Sequence, residues 1–210
     1  MDVVQQTIQT YDRIAPDYCK KTRRPKFLEW EEGYIKKLLA FISKLDPLIL
    51  DVGRGDGRHT ILIEKNGGRA IGIDLSKNML EEAKSLHPNG DFRKMDMRRP
   101  LFDDNSFDGI WASGSIYHVT KSEASKVIRE FRRVLKMNGV VAVNFKLGGG
   151  EEMEANPKSY SGSPRYFAYY TRDEMRAIFG SFGFKELESY TYPEEIFGEN
   201  LQQMWFQRSV

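Results

Sequence analysis

The residues best suited to chemistry stand together in one stretch, ILDVGRGDGRHT, from Ile49 to Thr60. An apolar run that indicates a buried strand leads into three glycines at alternate positions, with one aspartate at the strand end and another inside the loop. Glycines allow the backbone to approach a ligand closely. Because ligands of open α/β sheets bind at the carboxyl ends of the strands, this loop predicts a binding site.

The spacing of the loop decides which ligand it suits. A phosphate-binding P-loop, GxxxxGK[ST], is excluded because the sixth residue from Gly53 is Arg58 and no Lys-Ser or Lys-Thr pair follows. The dinucleotide pattern GxGxxG/A also fails, since the sixth residue from Gly55 is Thr60, and Asp56 would repel a pyrophosphate. A ligand without phosphate and with a positive centre fits better, and S-adenosylmethionine is such a ligand.

Four segments of the chain, in the right order, resemble the motifs of one family. DVGRGDG resembles the DxGxGxG motif of the class I S-adenosylmethionine-dependent methyltransferases, of the methyltransferase type 11-like kind. GIDLSKNML resembles their second acidic motif, MDMRRPLFDDNSFDGIWASGSIYHV the third and fourth, and EFRRVLKMNGVVAV their helix-to-strand turn. The likeness covers roughly Tyr11 to Leu147 and departs from the family pattern at Arg54 and at the Met137-Asn138-Gly139 turn. It implies a seven-stranded sheet whose last strand is antiparallel.

The elements that must position these motifs follow from periodicity and turn signals. Helices are predicted at about 2–14 and 26–43, with a basic linker, CKKTRRPK, between them. From PLILDVG to GVVAVNFKL the order β-α-β-α-β-β-α-β indicates an α/β fold with a largely parallel sheet and helices on both faces. The resemblance implies that this is a Rossmann-like, seven-stranded, mostly parallel sheet. We expect a single methyltransferase domain over 1–210, with an N-terminal helical cap (1–45), a cofactor-binding core (46–146), a substrate-cover segment (147–170) and a C-terminal helix with strands (171–210).

The predicted cofactor site begins at the ends of the first two strands. Asp51, Gly53, Gly55 and Gly57 are expected to form the cofactor loop. Asp74 ends the second predicted strand, RAIGIDL, where a carboxylate can accept hydrogen bonds from both ribose hydroxyls. This arrangement needs no phosphate on the ligand.

Further contacts are predicted around the two ends of the cofactor. From their positions we expect Leu75 and Met79 to pack on the adenine, Ser113 to end the fourth strand next to the methyl group, and Asp56 either to accept from the ammonium or to be solvated. The resemblance implies that Asp96 accepts from the adenine amino group, with the Met97 backbone beside it. YDRIAPDY resembles the family's cofactor-covering helix, so Tyr11, Tyr18 and Arg23 are expected to close over the methionine end.

The candidate catalytic residue is His118, which follows the fourth predicted strand in SIYHV. A sulfonium is already a good leaving group, so methyl transfer depends mainly on positioning. A base is needed only if the nucleophile carries a proton that must leave. His118 is the best-placed titrating side chain for that role, and the alternative is a histidine bonded to the backbone.

The methyl acceptor is expected to be a small molecule with a reactive oxygen or nitrogen. The fourth strand ends in ASGS, and by resemblance the absence of a [DN]PP[YF] turn argues against adenine-N6 or glutamine methylation. The 147–170 segment offers Arg165, which could pair with a carboxylate or phosphate. It also carries an aromatic cluster suited to a flat or apolar substrate, made of Tyr166, Phe167, Tyr169 and Tyr170.

Other functions stay open at the level of sequence. YDRIAPDYCKKTRRP, PRYFAYYTRDEM and WFQR resemble a family that methyl-esterifies carboxymethyl groups on wobble uridines of tRNA, and KKTRRPK and RKMDMRR would then contact phosphates. A nicotinamide-dependent oxidoreductase is a remote alternative, which the loop spacing disfavours. A cofactor-binding protein without catalysis is a further one.

The composition of the chain limits which classes of partner and which cellular location are expected. The 210 residues carry a formal net charge of only +2, which implies no strong polyanion partner. No apolar run approaches the roughly 20 residues of a membrane span. The start of the chain lacks the pattern of a signal peptide, and Cys19 is the only cysteine, so we expect a cytoplasmic protein, monomeric or homodimeric, without disulfides. The three histidines lack metal-ligand spacing, and no metal is predicted.

Overall fold

Seven strands form one sheet in the order β3-β2-β1-β4-β5-β9-β8. The computed structural model describes residues 2–155, 162–192 and 200–209. In chain order the strands of this sheet are β1 (Leu48–Val52), β2 (Arg69–Asp74), β3 (Asp91–Lys94), β4 (Phe107–Ala112), β5 (Leu135–Lys146), β8 (Phe184–Thr191) and β9 (Leu201–Arg208). β9 pairs antiparallel with both β5 and β8, whereas the pairs from β3 to β5 are parallel. The predicted sheet, with its last strand antiparallel, is confirmed.

Two hydrophobic clusters cover the two faces of this sheet. Alternate side chains of a strand point to opposite faces. Ile49 of β1 accordingly packs with the helices α2 (Pro25–Ile42) and α3 (Arg58–Lys65), whereas Leu50 packs with α5 (Lys121–Val134) and α6 (Arg172–Ser181). The helix α4 (Lys77–Leu86) covers β3, where Leu80, Ala83 and Phe92 form a small separate cluster.

The first helix, α1 (Val3–Thr22), is longer than the sequence predicts. The expected end near residue 14 is wrong, because the helix continues through Pro16 into the segment expected to be a basic linker. Ala15 and Cys19 are buried one turn apart and pack on Met79 of α4. This contact stabilises the last turns of α1 although Pro16 cannot donate a backbone hydrogen bond.

The segment predicted as a long substrate-cover loop contains two short strands. β6 (Glu151–Glu154) and β7 (Arg165–Ala168) pair antiparallel as a separate two-stranded sheet, and residues 156–161 between them lie outside the described residues. β7 packs on α1: the Tyr166 amide donates to the Thr7 hydroxyl at 3.0 Å, and the Thr10 hydroxyl donates to the Pro164 carbonyl at 2.7 Å. Strand β7 and α1 therefore form one roof beside the strand ends.

The turn into β5 differs from its expected form. α5 ends at Val134 and β5 begins at once, at Leu135, whereas the sequence predicts the helix-to-strand turn at Met137-Asn138-Gly139. Asn138 takes a positive φ of 62°, which asparagine tolerates better than most residues. Among the described helices, none has the length and hydrophobicity that a membrane span requires.

Candidate functional site

A cavity of about 420 Å³ opens at the carboxyl ends of the parallel strands. The loops after β1, β2 and β4 form its floor, and β5 contributes Asn144 and Lys146. Tyr11 of α1 and Phe167 of β7 line it from the roof. The cavity lies at the edge of the sheet where the sequence predicts a ligand.

The glycine loop forms the part of the wall next to β1. Gly53 and Gly55 have φ values of 63° and 56°, a region that other residues rarely adopt. A Cβ atom on Gly53 would lie 2.4 Å from the Cβ of Ser115, which stands in the loop after β4, so position 53 requires a glycine. A Cβ atom on Gly55 would meet nothing within 4 Å, and this open side of the loop lines the cavity.

Asp74 stands at the end of β2 and lines the same cavity. Its two carboxylate oxygens accept the backbone N–H groups of Gly55 at 2.9 Å and Ser76 at 2.8 Å. Burial raises the pKa of Asp74, and these two backbone donors oppose the rise. The carboxylate is thus fixed in orientation, with accepting capacity left for a ligand hydroxyl because each oxygen can accept more than one bond.

Two other loop carboxylates are used inside the protein. Asp51 is buried behind the loop, where it accepts from the Thr60 hydroxyl at 2.7 Å, and burial raises its pKa. Asp56 is also buried and is paired with Arg23 at 2.6 Å and with Arg58 at 3.2 Å. These pairs fix α1 and the start of α3 to the loop.

The end of the cavity next to β2 and β3 is apolar. Leu75, Met79 and Met97 line it, together with Met95, which the sequence analysis did not single out. The carboxylate of Asp96 points to its own neighbour instead, because it accepts the Arg98 amide at 2.8 Å and the Arg98 side chain at 2.7 to 3.1 Å.

Arg54 is the unusual residue of the glycine loop. It is 1% exposed, and none of its three guanidinium nitrogens has a hydrogen-bond partner among the described residues. The guanidinium lies 4.0 Å from the ring centroid of Phe92, a cation–π contact. A Cβ atom on Gly72 would lie 2.0 Å from the Arg54 side chain, so β2 needs a glycine where Arg54 crosses it.

A three-membered network closes the cavity under the roof. The Tyr11 hydroxyl lies 2.9 Å from Nε2 of His118 and accepts from Arg165 at 3.0 Å. Nδ1 of His118 lies 2.7 Å from the carbonyl oxygen of Tyr166. A carbonyl can only accept, so Nδ1 carries the hydrogen and Nε2 offers a lone pair to Tyr11. Burial lowers the pKa of His118 to about 3, and the imidazole is therefore neutral at physiological pH.

The ends of β4 and β5 are joined beside this network. Asn144 accepts the Gly114 amide at 2.7 Å and donates to the Ser113 hydroxyl at 3.1 Å. Lys146 follows on the same side of β5, and its ammonium lies 3.7 Å from the ring centroid of Phe167.

Comparison with known proteins agrees with this geometry. The sequence model of a methyltransferase domain family matches residues 49–139. A ubiquinone/menaquinone biosynthesis C-methyltransferase of Campylobacter jejuni is 29% identical over 68% of this chain, and the chain spans 64% of that relative's length. A demethylmenaquinone methyltransferase of Thermotoga maritima is 27% identical, over 88% of this chain and 77% of the relative.

A solved structure shares the fold. The 1,6-didemethyltoxoflavin-N1-methyltransferase of Burkholderia thailandensis, solved with bound 1,6-didemethyltoxoflavin and S-adenosylhomocysteine, superposes with a TM-score of 0.78 and 16% identity, covering 98% of this chain and 88% of that one. These findings support a class I S-adenosylmethionine-dependent methyltransferase. They likewise support S-adenosylmethionine as the cofactor, and the nicotinamide alternative is not retained.

The residues around the cavity fit that cofactor. Gly55 leaves open space where a side chain would stand, and the oriented Asp74 faces the cavity at the strand end. Of the predicted site residues, ten line the cavity: Tyr11, Tyr18, Gly53, Gly55, Asp74, Leu75, Met79, Met97, Ser113 and His118. Five are not part of its described wall: Arg23, Asp51, Asp56, Gly57 and Asp96. Gly57, with a φ of 77°, instead precedes the first residue of α3.

Sequence reasoning missed a cluster of charged and polar side chains around Glu31 in the wall of the cavity. Glu31 of α2 lies 3.1 Å from Arg58 and 3.0 Å from Nε2 of His59, and all three residues line the cavity. Burial tends to raise the pKa of Glu31, but Arg58 and the hydrogen bond with His59 outweigh burial and lower this pKa to about 2. The only available signal was a glutamate among the apolar positions of a predicted helix, which does not reveal a partner 27 residues away.

Proposed function

We propose that this chain is a methyltransferase that transfers a methyl group to an oxygen or nitrogen atom of a small molecule. The observation that supports the proposal best is the Tyr11–His118 pair in the cavity wall, because an O–H or N–H acceptor has a proton to lose. The cavity is about 420 Å³, a volume suited to small ligands.

The cofactor-binding half of the proposal rests on the floor of the cavity. Asp74 would accept from the ribose hydroxyls, the Gly53–Gly55 backbone would lie against the methionine part, and Leu75 with Met79 would pack on the adenine. When bound, S-adenosylmethionine supplies an electrophilic methyl group on a sulfonium. The remaining task of the protein is to orient the acceptor, exclude water and receive a proton.

The proton route follows from the hydrogen-bond directions. Tyr11 donates to Nε2 of His118 and accepts from Arg165, which leaves its oxygen room for one more hydrogen bond. An acceptor O–H or N–H bound there would pass its proton to Tyr11 while the Tyr11 proton moves to Nε2. Tyr11 is then the residue that touches the acceptor, and His118 receives the proton.

The test is a transfer assay with methyl-labelled cofactor and a mixture of small phenols, carboxylic acids and amines. Tyr11→Phe keeps the ring and removes the relay oxygen, so turnover should fall by about 10²–10⁴-fold. The affinity for S-adenosylhomocysteine should stay within about threefold, because Tyr11 is not needed to hold the adenosine. Tyr34→Phe is the control, since the buried Tyr34 hydroxyl has no hydrogen-bond partner among the described residues. Wild-type turnover in Tyr11→Phe would refute the relay.

A second candidate reaction is transfer to a ring carbon of a hydroxyaromatic compound. It is favoured by the similarity to C-methyltransferases of quinone biosynthesis. The same Tyr11–His118 pair would then deprotonate the ring hydroxyl and activate the ring. The position of the labelled methyl carbon in the product, read by NMR, separates the two reactions.

The tRNA alternative has weaker support. Arg23 and Arg98, in the two basic runs that would contact phosphates, are paired inside the protein with Asp56 and with Asp96 and Glu123. Using them for RNA would break these pairs. Label in the tRNA fraction of a cell extract, with none in small molecules, would favour this alternative.

A further inference from the structure

Arg54 of the glycine loop is a buried cation for which two strands leave a fitted space. Its Cδ atom lies 2.0 Å from the point where a Cβ atom of Gly72 would stand, so the side chain fills the space that this glycine leaves on β2. Phe92 of β3 is the residue that pairs with Gly72 in the register, and its ring centroid lies 4.0 Å from the guanidinium. A glycine on one strand and an aromatic ring on the next therefore accommodate this charge together.

Hydrogen bonds do not account for the burial of the Arg54 guanidinium. The side chain is 1% exposed, and none of its three guanidinium nitrogens has a hydrogen-bond partner among the described residues. Every nitrogen of a guanidinium is a donor, and burying donors without partners is costly. The ring of Phe92 provides no acceptor oxygen, so negative charge at longer range is what remains to compensate the burial.

Three aspartates supply that negative charge. Burial lowers the pKa of Arg54, and the charges of Asp51, Asp74 and Asp56 oppose this effect. The Cys19 thiol stands nearby and is neutral, because burial raises its pKa to about 12. Asp51 and Asp56 have side-chain partners of their own, as described above. Asp74 forms no ion pair within the described part of the chain, which leaves Arg54 as its nearby counter-charge.

The Arg54 side chain lies on the same face of β2 as the Asp74 carboxylate. It occupies the side-chain position of Gly72, and side chains two residues apart on a strand point to the same face. These two positions are about 7 Å apart along the strand. The backbone fixes the arrangement, because the Arg54 amide lies 3.3 Å from the Ile73 carbonyl oxygen and the Gly55 amide donates to Asp74 at 2.9 Å.

The other charges around Asp74 do not replace this cation. Asp12 of α1 accepts from the Ser76 hydroxyl at 2.6 Å, and it adds a negative charge beside the site. Lys94, opposite Asp74 on β3, and Lys77, the first residue of α4, are both exposed, where solvent and salt screen their charges. Burial raises the pKa of Asp74, and after the backbone donors the buried guanidinium is the next effect that opposes the rise.

We propose that Arg54 is a positioning residue of the cofactor site, whose buried charge keeps Asp74 a carboxylate that can accept from the ribose hydroxyls of S-adenosylmethionine. A protonated Asp74 would lose the charge-assisted bonds to those hydroxyls. The family pattern does not assign this role, since the glycine loop departs from that pattern at Arg54. The inference rests on the proposed function, because it concerns how the cofactor of that reaction is held.

The test is the pH dependence of the affinity for S-adenosylhomocysteine, measured by calorimetry on the full chain between pH 8 and pH 5. Arg54→Met removes the charge and keeps a side chain that can pack on Phe92. Removal of a nearby opposite charge raises the pKa of a carboxylate by about one unit or more. The loss of affinity from pH 8 to pH 5 should therefore be at least about tenfold larger in Arg54→Met than in the wild type. Arg54→Gln provides the same readout if the methionine variant does not fold.

The control is Arg69→Met, which removes an exposed cation at the other end of β2 and should keep the wild-type pH dependence. In an Asp74→Asn background, Arg54→Met should add no further pH dependence, and an excess that persists there would assign the effect to another group and overturn the proposal. A loss of equal size at both pH values would show a purely structural role and overturn it as well, and so would a wild-type pH profile in Arg54→Met. These outcomes overturn the role of Arg54 alone, whereas a wild-type chain that did not bind S-adenosylhomocysteine would overturn the proposed function and this inference with it.

Discussion

The glycine loop allows a sharp test, because two of its glycines have similar backbone angles and different surroundings. Alanine at position 55 requires only the left-handed conformation, which costs a residue with a side chain about 1–2 kcal/mol. Alanine at position 53 requires the same conformation and also a displacement of Ser115, since the new Cβ would lie 2.4 Å from the Cβ of that residue. Overpacking of this kind adds about 1–3 kcal/mol.

The expected result is a difference in stability and a shared loss of binding. Gly55→Ala should lower the free energy of unfolding by about 1–2 kcal/mol and Gly53→Ala by about 2–5 kcal/mol, measured by urea titration. Gly55→Ala should nevertheless lose affinity for S-adenosylhomocysteine, because its methyl group enters the open side of the loop that lines the cavity. Equal destabilisation by the two substitutions, or wild-type affinity in Gly55→Ala, would refute this account of the loop.

Three further expectations concern buried charges. Gly72→Ala should destabilise the chain by about 1–3 kcal/mol, because the new Cβ would lie 2.0 Å from the Arg54 side chain. The loss should be clearly smaller in an Arg54→Ala background. Additive effects of the two substitutions in this double-mutant cycle would contradict the contact between Gly72 and Arg54. The pKa of His118 is lowered from 6.5 to about 3, so the unfolded state binds more protons than the folded state between these pH values, and the free energy of unfolding should fall as the pH drops through that window. His118→Gln should lessen this dependence of stability on pH. An unchanged dependence, in acid titrations followed by circular dichroism, would contradict the burial of a neutral His118. Glu31 has a pKa of about 2 beside Arg58, so its charge stabilises the fold fully above its unfolded pKa of about 4.5, and this contribution is lost as the pH falls towards 2. Glu31→Gln should therefore lower the free energy of unfolding at pH 7 and change it little at pH 2. An equal loss at both pH values would argue against the Glu31–Arg58 pair.

The sheet and the cofactor loop were predictable because their signals are local. The strand before Gly53 and the strand that ends at Asp74 are short apolar runs, and each is followed directly by its turn residues. Alternating strands and helices then leave few topologies. The cavity-lining positions of Gly53, Gly55 and Asp74 follow from that order alone.

The partners of the charged side chains were not predictable, because they are distant in the chain. Asp56 could equally serve a ligand or a cation, and its pairing with Arg23 depends on how far α1 extends. The length of α1 in turn depends on the packing of Cys19 on Met79, which is 60 residues later in the chain. Pro16, the local signal, indicates a helix end and does not reveal this contact. Asp96 is a different case, since Arg98 is only two residues away and its competition for the carboxylate was a local signal.

The part of the cavity under the roof of β7 and α1 was also not predictable from local signals. Lys146 ends an apolar strand and could have been noted as a charged residue at a ligand-binding edge. Its proximity to Phe167 and to the Tyr11–Arg165 contact arises from the packing of β7 on α1, over more than 150 residues of sequence. Only the folded chain brings these groups to one cavity.

The most direct test of the central claim is the affinity of the chain for S-adenosylhomocysteine, measured by calorimetry with and without the Asp74 carboxylate. The account predicts that the wild-type protein binds, that Asp74→Asn loses at least about tenfold in affinity, and that Asp46→Asn, at an exposed loop position, binds like the wild type. Wild-type affinity in Asp74→Asn, or the absence of binding by the wild-type chain, would contradict the cofactor site described above.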